Sequence, residues 1–189
     1  IELFELELVE GLHYATGNPT SVPTIFRFHS GGNIDTYADL VWQSNTYEKL
    51  PIKATGYEYS GEGKIPRPTL VISNLGGITR SGAVITVTDL LIIINLVTSH
   101  NDLLDAKLTR RTITADALDA SNFSGGTNPF GTPNSNELPQ EIYFIDRKIQ
   151  ESRDVVSFEL VSRMDTQNKK IPARQVTRKD FEGVGGFIN

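Results

Sequence analysis

The sequence predicts a mainly β, α+β fold: an antiparallel β-sandwich or barrel with one short helix and an extended C-terminal arm. Short stretches alternate apolar and polar residues with period two, the mark of half-buried strands. Clusters of Gly, Asn, Pro and Ser separate them at close intervals, as in all-β domains with many tight turns. One segment breaks the alternation and reads as a helix.

The strands follow in chain order. Phe4, Leu6 and Leu8 share one face, with Glu5 and Glu7 on the other. Phe26 and Phe28 lie opposite Arg27, Leu40 pairs with Trp42, and Tyr57 and Tyr59 flank Glu58. Leu70 and Ile72 alternate with Thr69, Val71 and Ser73. Ile142 and Phe144 alternate with Tyr143 and Ile145, and Val156, Phe158 and Leu160 with Val155, Ser157 and Glu159. Turns are expected at Gly17-Asn18-Pro19, Ser30-Gly31-Gly32-Asn33, Ser60-Gly61-Glu62-Gly63 and Gly76-Gly77, where Gly supplies positive φ, Pro fixes φ near about −65° and Asn tolerates the left-handed region. The helix spans Thr88 to Val97, with Thr86 as cap and Asp89 at capping-box spacing, so that Leu90, Ile94 and Val97 form one stripe. Its β-branched run is also compatible with a buried strand.

Two parts of the chain lack a core pattern. Between Ala120 and Gln140 a Gly/Asn/Pro-rich loop carries Phe123 and Phe130; each either folds back on its own domain or anchors a neighbouring subunit. After Met164 the chain turns polar and basic and ends in Gly185-Gly186-Phe187-Ile188-Asn189. The division expected is a β-rich domain, 1–163, and an extended arm, 164–189, with Phe187 a further candidate contact.

Composition narrows the function. The chain has 189 residues, 38% hydrophobic and 22% charged, which suits one ordinary globular domain. Its longest apolar run, Leu90 to Ile94, is far below the roughly 20 residues of a membrane span. No basic stretch followed by an apolar one opens it, so no signal peptide is expected. A net charge of −5 argues against a general nucleic-acid surface. With no cysteine, the chain offers no thiolate nucleophile, disulfide or cysteine-held cluster. His13, His29 and His100 show no metal-ligand spacing, and His29, alternating with Arg27, is expected on a solvated face. Neither a GxSxG elbow nor a phosphate-binding loop is present. Asp116, Asp119, Asp146, Glu151 and Asp154 gather acid, but the last three interleave with Arg and Lys across an expected turn. Arg110-Arg111, the densest basic pair, lacks an adjoining aromatic platform and reads as a partner of acids within the fold or between subunits.

Several segments in order then resemble the minor tail protein L family of long-tailed phages, the lambda type. They are Leu3-Phe4-Glu5-Leu6; Leu40-Val41-Trp42-Gln43-Ser44-Asn45-Thr46-Tyr47 with Leu50-Pro51-Ile52; Gly56-Tyr57-Glu58-Tyr59-Ser60-Gly61-Glu62-Gly63 running to Arg67-Pro68-Thr69-Leu70; and Arg110-Arg111 before Leu118-Asp119-Ala120-Ser121-Asn122-Phe123. The resemblance implies a non-catalytic structural subunit of tail-tube type, in the virion's tail tip and assembled in the host cytoplasm. It implies a homo-oligomeric ring, a trimer, between the distal tail protein and the central hub or fibre protein, with the tape measure protein as a further neighbour. DNA would pass through the ring as transient cargo. Relatives carry a cysteine-bearing C-terminal region that holds an iron–sulfur cluster. Without cysteine no cofactor is expected here, and the closing Gly-Gly-Phe implies a short form, natural or truncated. Phe123, Phe130, Arg110, Arg111 and Phe187 are the candidate inter-subunit contacts. The alternative class is a cell-wall-degrading or carbohydrate-binding β module using two of Asp116, Asp119, Asp146 and Glu151, which would need those acids to face one cleft.

Overall fold

The computed structural model describes residues 1–15, 24–31, 39–58, 61, 65–75, 78–80, 83–97, 99 and 101–164. Among them the chain forms β1 (Glu2–Glu7), β2 (Ile25–His29), β3 (Leu40–Trp42), β4 (Asn45–Lys49), β5 (Ile52–Thr55), β6 (Thr69–Ser73), β7 (Ile78–Arg80), β8 (Ala83–Ile85), α1 (Val87–Val97), β9 (Lys107–Thr112), β10 (Glu141–Glu151) and β11 (Val155–Val161). Two 3₁₀ turns, Ala115–Ala117 and Ala120–Asn122, lie between β9 and β10. The fold is mainly β with one helix.

Nine strands share one sheet in the order β3-β4-β2-β1-β9-β10-β11-β6-β5, while β7 and β8 form a separate ribbon. The sheet is mixed, which corrects the purely antiparallel expectation: β2 and β4 run parallel, with Phe28 beside Glu48. The cause is the β3–β4 hairpin, which reverses the chain once more before it rejoins β2. β4 and β5 stand near opposite ends of the order, yet only Leu50 and Pro51 separate them. Two residues reach roughly 7 Å, so the sheet curls until its ends approach. The Leu50 amide donates to the His29 carbonyl at 3.0 Å and the Ser73 amide to the Pro51 carbonyl at 2.8 Å, so this short link touches β2 and β6.

The main core lies on one face of the sheet. Phe4, Leu6 and Leu8 meet Phe26 and Phe28, Leu108, Tyr143, Ile145, Val156, Phe158 and Leu160, with Leu70 and Ile72 from β6. The Phe4 and Phe28 rings stack at 5.8 Å, as their direct pairing across β1 and β2 demands. Leu90, Leu91 and Ile94 of α1 enter the same core. That burial explains why the β-branched run is a helix here: its apolar spacing matches the surface it covers. Thr86 and Asp89 form the expected capping box. The Thr86 amide donates to Asp89 Oδ2 at 3.0 Å, and the Asp89 amide to Thr86 Oγ1 at 3.2 Å. A smaller cluster of Leu3, Leu40, Trp42, Tyr47, Ile113, Ala117 and Leu118 occupies the other side of β1.

Two further expectations need correction. His29 is buried, 1% exposed, because the curled sheet covers the end of β2; its Nδ1 accepts from the Gly31 amide at 3.0 Å. On β10 the expected alternation holds, with Tyr143 and Ile145 inward and Ile142 facing out. Asp146 to Glu151 continue β10, the turn falling at Ser152–Asp154, where the Ser152 hydroxyl accepts from the Asp154 and Val155 amides. The turns at 17–19, 32–33, 62–63 and 76–77, Tyr59, His100, and the 165–189 part of the arm with Phe187 lie outside the described residues.

Candidate functional site

The β3–β4 hairpin turns on Gln43 and Ser44, both at positive φ (50° and 60°). Two successive left-handed residues make a type I′ turn, whose twist matches the flanking strands. Neither residue is glycine, and the strain is held from outside. The Asp119 carboxylate accepts the Gln43 amide at 3.0 Å and the Ser44 amide at 2.8 Å. Three residues on, the Asn122 side chain accepts the Val41 amide through Oδ1 and donates to the Val41 carbonyl through Nδ2, both at 2.7 Å. Asn122 thus closes the outer edge of β3 as one residue of a neighbouring strand would. Trp42, 2% exposed, donates from Nε1 to the Asn134 carbonyl at 3.2 Å. The Trp42 segment and the Leu118–Phe123 segment, far apart in sequence, are one packed unit.

Arg110 and Arg111, consecutive on β9, serve opposite faces of the sheet. Arg110 lies over the Tyr57 ring at 4.5 Å and pairs with Glu2 and Glu141. Arg111 lies over Trp42 at 5.6 Å, donates twice to Glu137 at 2.9 Å and once to Glu5 at 3.2 Å. Glu5 is the centre of the outer network, since it also accepts from Tyr47 Oη at 2.7 Å and Arg27 Nε at 3.2 Å. Burial alone would raise the Glu5 carboxyl. The Tyr47 hydroxyl and the guanidinium groups of Arg111 and Arg27 outweigh it and hold the group below its ordinary value. Burial pushes the Tyr47 phenol up, with the Glu5 hydrogen bond adding to it. Burial would likewise weaken the charge on Arg110 and Arg111, but their carboxylate partners raise both above the ordinary value. The ladder Arg27–Glu5–Arg111–Glu137 therefore ties β2, β1, β9 and the chain before β10 into one rigid face. Arg110 and Arg111 meet their acids inside the fold, one of the two placements the sequence left open.

The loop after Leu118 is ordered by asparagines rather than by a core of its own. Buried Asn128 donates to the Ala115, Asp116 and Leu118 carbonyls at 3.0–3.1 Å, and its Oδ1 accepts the Phe130 amide at 2.9 Å. Asn134 repeats the device on Asn136 at 2.9 Å. Phe123 folds back on the smaller cluster, and Phe130, 62% exposed, packs on it edge to face at 5.9 Å. Phe130 so forms an apolar prominence on a pinned base, and Leu138, 61% exposed, is a further exposed apolar residue of the same loop.

The acids are held apart by separate tasks. Asp119 caps the hairpin, and Asp116 meets Asn134 at 3.4 Å. Asp146 faces Arg67 at 3.7 Å, and Glu151 meets Lys148 and the Thr88 hydroxyl at 2.6 and 2.9 Å. Among the described residues no group of three His, Cys, Asp or Glu is arranged to hold a metal. What the arrangement can do chemically is present a stiff, charged and aromatic surface. Sequence reasoning missed Glu2, Glu5, Glu137, Glu141 and Tyr47, whose roles depend on cross-strand register. Asn128 carried a signal: an Asn two residues before Phe130 and followed by Pro129 is an Asx turn.

Comparison with known proteins bears on this surface. A family model described as phage minor tail protein L matches residues 18–182. Tail tip protein L of Escherichia phage lambda is 27% identical over 135 residues, 71% of this chain and 51% of the relative. The chain thus spans about half the length of that relative.

Proposed function

The chain belongs to the phage minor tail protein L family, and on that premise we propose that it is a structural subunit of a long-tailed phage's tail tip, without catalysis. In this reading the curled sheet closes as a barrel of tail-tube type. Copies form a ring, a trimer, that joins the distal tail ring to the central hub or fibre protein and continues the channel through which DNA leaves. Copies are added in the host cytoplasm and remain in the virion, with the tape measure protein as a further neighbour. No cofactor enters the scheme.

One observation carries the reading. Segments that resemble the family separately meet in space: Glu5 of the first, Trp42 of the second, Arg111 and Asp119 of the last. Rigid side-chain networks spanning several strands suit a subunit that must keep its shape inside an assembly. A net charge of −5 suits a wall along which DNA slides without binding. Phe130 and Phe123 supply an anchor of the kind that dominates interfaces, Arg111 stiffens the face behind it and Arg110 the opposite face, and Phe187 stays a candidate contact. Electron cryomicroscopy of purified particles tests this: the protein should lie in a closed ring at the end of the tail tube. Its absence from purified virions, with the isolated chain remaining a monomer, would overturn the reading.

A further inference from the structure

Beyond β1 the chain makes a tight turn from Val9 to Tyr14, and His13 within it is fully buried. Both ring nitrogens are engaged. The Val9 amide donates to Nδ1 at 2.8 Å, so Nδ1 carries no proton; the Nε2 proton is left to bond the Leu104 carbonyl at 2.9 Å. The ring is therefore neutral and in one tautomer. Leu104 belongs to a strained turn before β9, where Asp102, Leu103 and Asp105 have φ of 48°, 67° and 64°. Non-glycine residues avoid this region, and so many together persist only where the surroundings hold them. Here Asn95 grips Asp102 at 2.9 and 3.1 Å, the Asp105 amide reaches the Ile145 carbonyl at 2.9 Å, and buried Leu103 fills the core. His13 is the tie from the opposite side. The two turns flank an open cleft of about 710 Å³, with Val9 and Tyr14 on one wall and Asp105, Lys107 and Phe144 on the other.

We propose that His13 is a proton-operated latch: neutral, it pins the Val9–Tyr14 turn to the strained turn and fixes the cleft between them; protonated, it releases them. A proton on Nδ1 would face the Val9 N–H, donor against donor, and leave that amide without its acceptor. Among the described residues the groups that face the ring are the Leu104 carbonyl, Asn101 and the Asp105 carboxylate, all of which favour a cation. Burial outweighs them and lowers the ring's hold on a proton below the ordinary 6.5. The latch is therefore fully set above pH 6.5 and weakens as pH falls below it. The inference stands independently of the tail-tip reading.

Amide hydrogen exchange of the full chain, corrected for intrinsic rates, tests it at pH 7.5 and pH 5. A pH of 5 still lies above the ordinary carboxylate range. Protection of Val9 and of residues 103–106 should fall several-fold at pH 5, up to the roughly 30-fold that about 1.5 pH units below 6.5 allow. His13→Asn, whose side-chain oxygen can accept the Val9 amide without titrating, should show equal protection at both values. Unchanged wild-type protection, or an equal loss in His13→Asn, would overturn the latch. Should His13→Asn not fold, imidazole NMR of the wild type decides: protonation of His13 must coincide with loss of Val9 protection, and protonation without that loss refutes the proposal.

Discussion

Replacing Trp42 with alanine is the sharpest test of the smaller core. Trp42 is 2% exposed and packs with Leu3, Leu40, Tyr47, Ile113, Ala117 and Leu118. Truncation removes most of an indole from a site whose walls are strand backbone and a pinned loop, so collapse into the space is limited. Large-to-small changes of this kind cost about 3–5 kcal/mol. Loss of the Nε1 bond to Asn134 orphans a carbonyl at the loop, and loss of the Arg111 contact removes a cation–π term of about 0.5–1 kcal/mol; both fall inside that range rather than adding to it. Urea unfolding followed by circular dichroism should show a midpoint shift at nearly constant slope. Because the chain has one tryptophan, wild-type emission reports on this site alone and should be blue-shifted and red-shift on unfolding. A native spectrum already red-shifted, or a cost under about 1 kcal/mol, would refute the assignment of Trp42 as the keystone of this cluster.

Other outcomes follow from single contacts. Ser44→Gly should stabilise by about 1 kcal/mol or less, since glycine relieves a left-handed strain of about 1–2 kcal/mol at φ 60° but loses about 0.4–1 kcal/mol of it to the freer unfolded chain, while its amide still meets Asp119; a thermal scan reads the sign. Asn128→Ala should cost about 1–3 kcal/mol and speed exchange of the Phe130 amide, leaving the loop that carries Phe130 loose. Thr86→Ala removes the cap of α1 and should cost about 1 kcal/mol by chemical denaturation. Glu5 has its folded-state pKa below the ordinary 4.5, so its contribution is complete above that value and is lost as pH falls through the lowered one; Glu5→Gln should flatten this part of the acid limb of a stability–pH curve.

The Leu3–Leu8 alternation, the Val156–Leu160 strand and the Thr86–Asp89 cap were legible because each rests on neighbours two, three or four residues apart, distances that periodicity encodes. The candidate site was legible as types and not as partners. Arg110-Arg111 stood out as charge, but nothing local tells that one side chain faces Tyr57 and the other Trp42; that follows from β9 alternating between the two faces of a sheet with packing on both sides. Asp119 and Asn122 sat in a motif, yet their task was invisible until the chain brought them to Gln43, Ser44 and Val41.

What the sequence determined by itself is the β class, the capped helix, the absence of cysteine chemistry and the family. Tertiary structure alone decided that the sheet is mixed and curled, that His29 and His13 are buried, and that the acids are dispersed among separate partners. Such features depend on contacts between residues a hundred or more positions apart, as between Lys107 and Glu7, whose energy arises when strand order and register place them together; no local pattern contains that order.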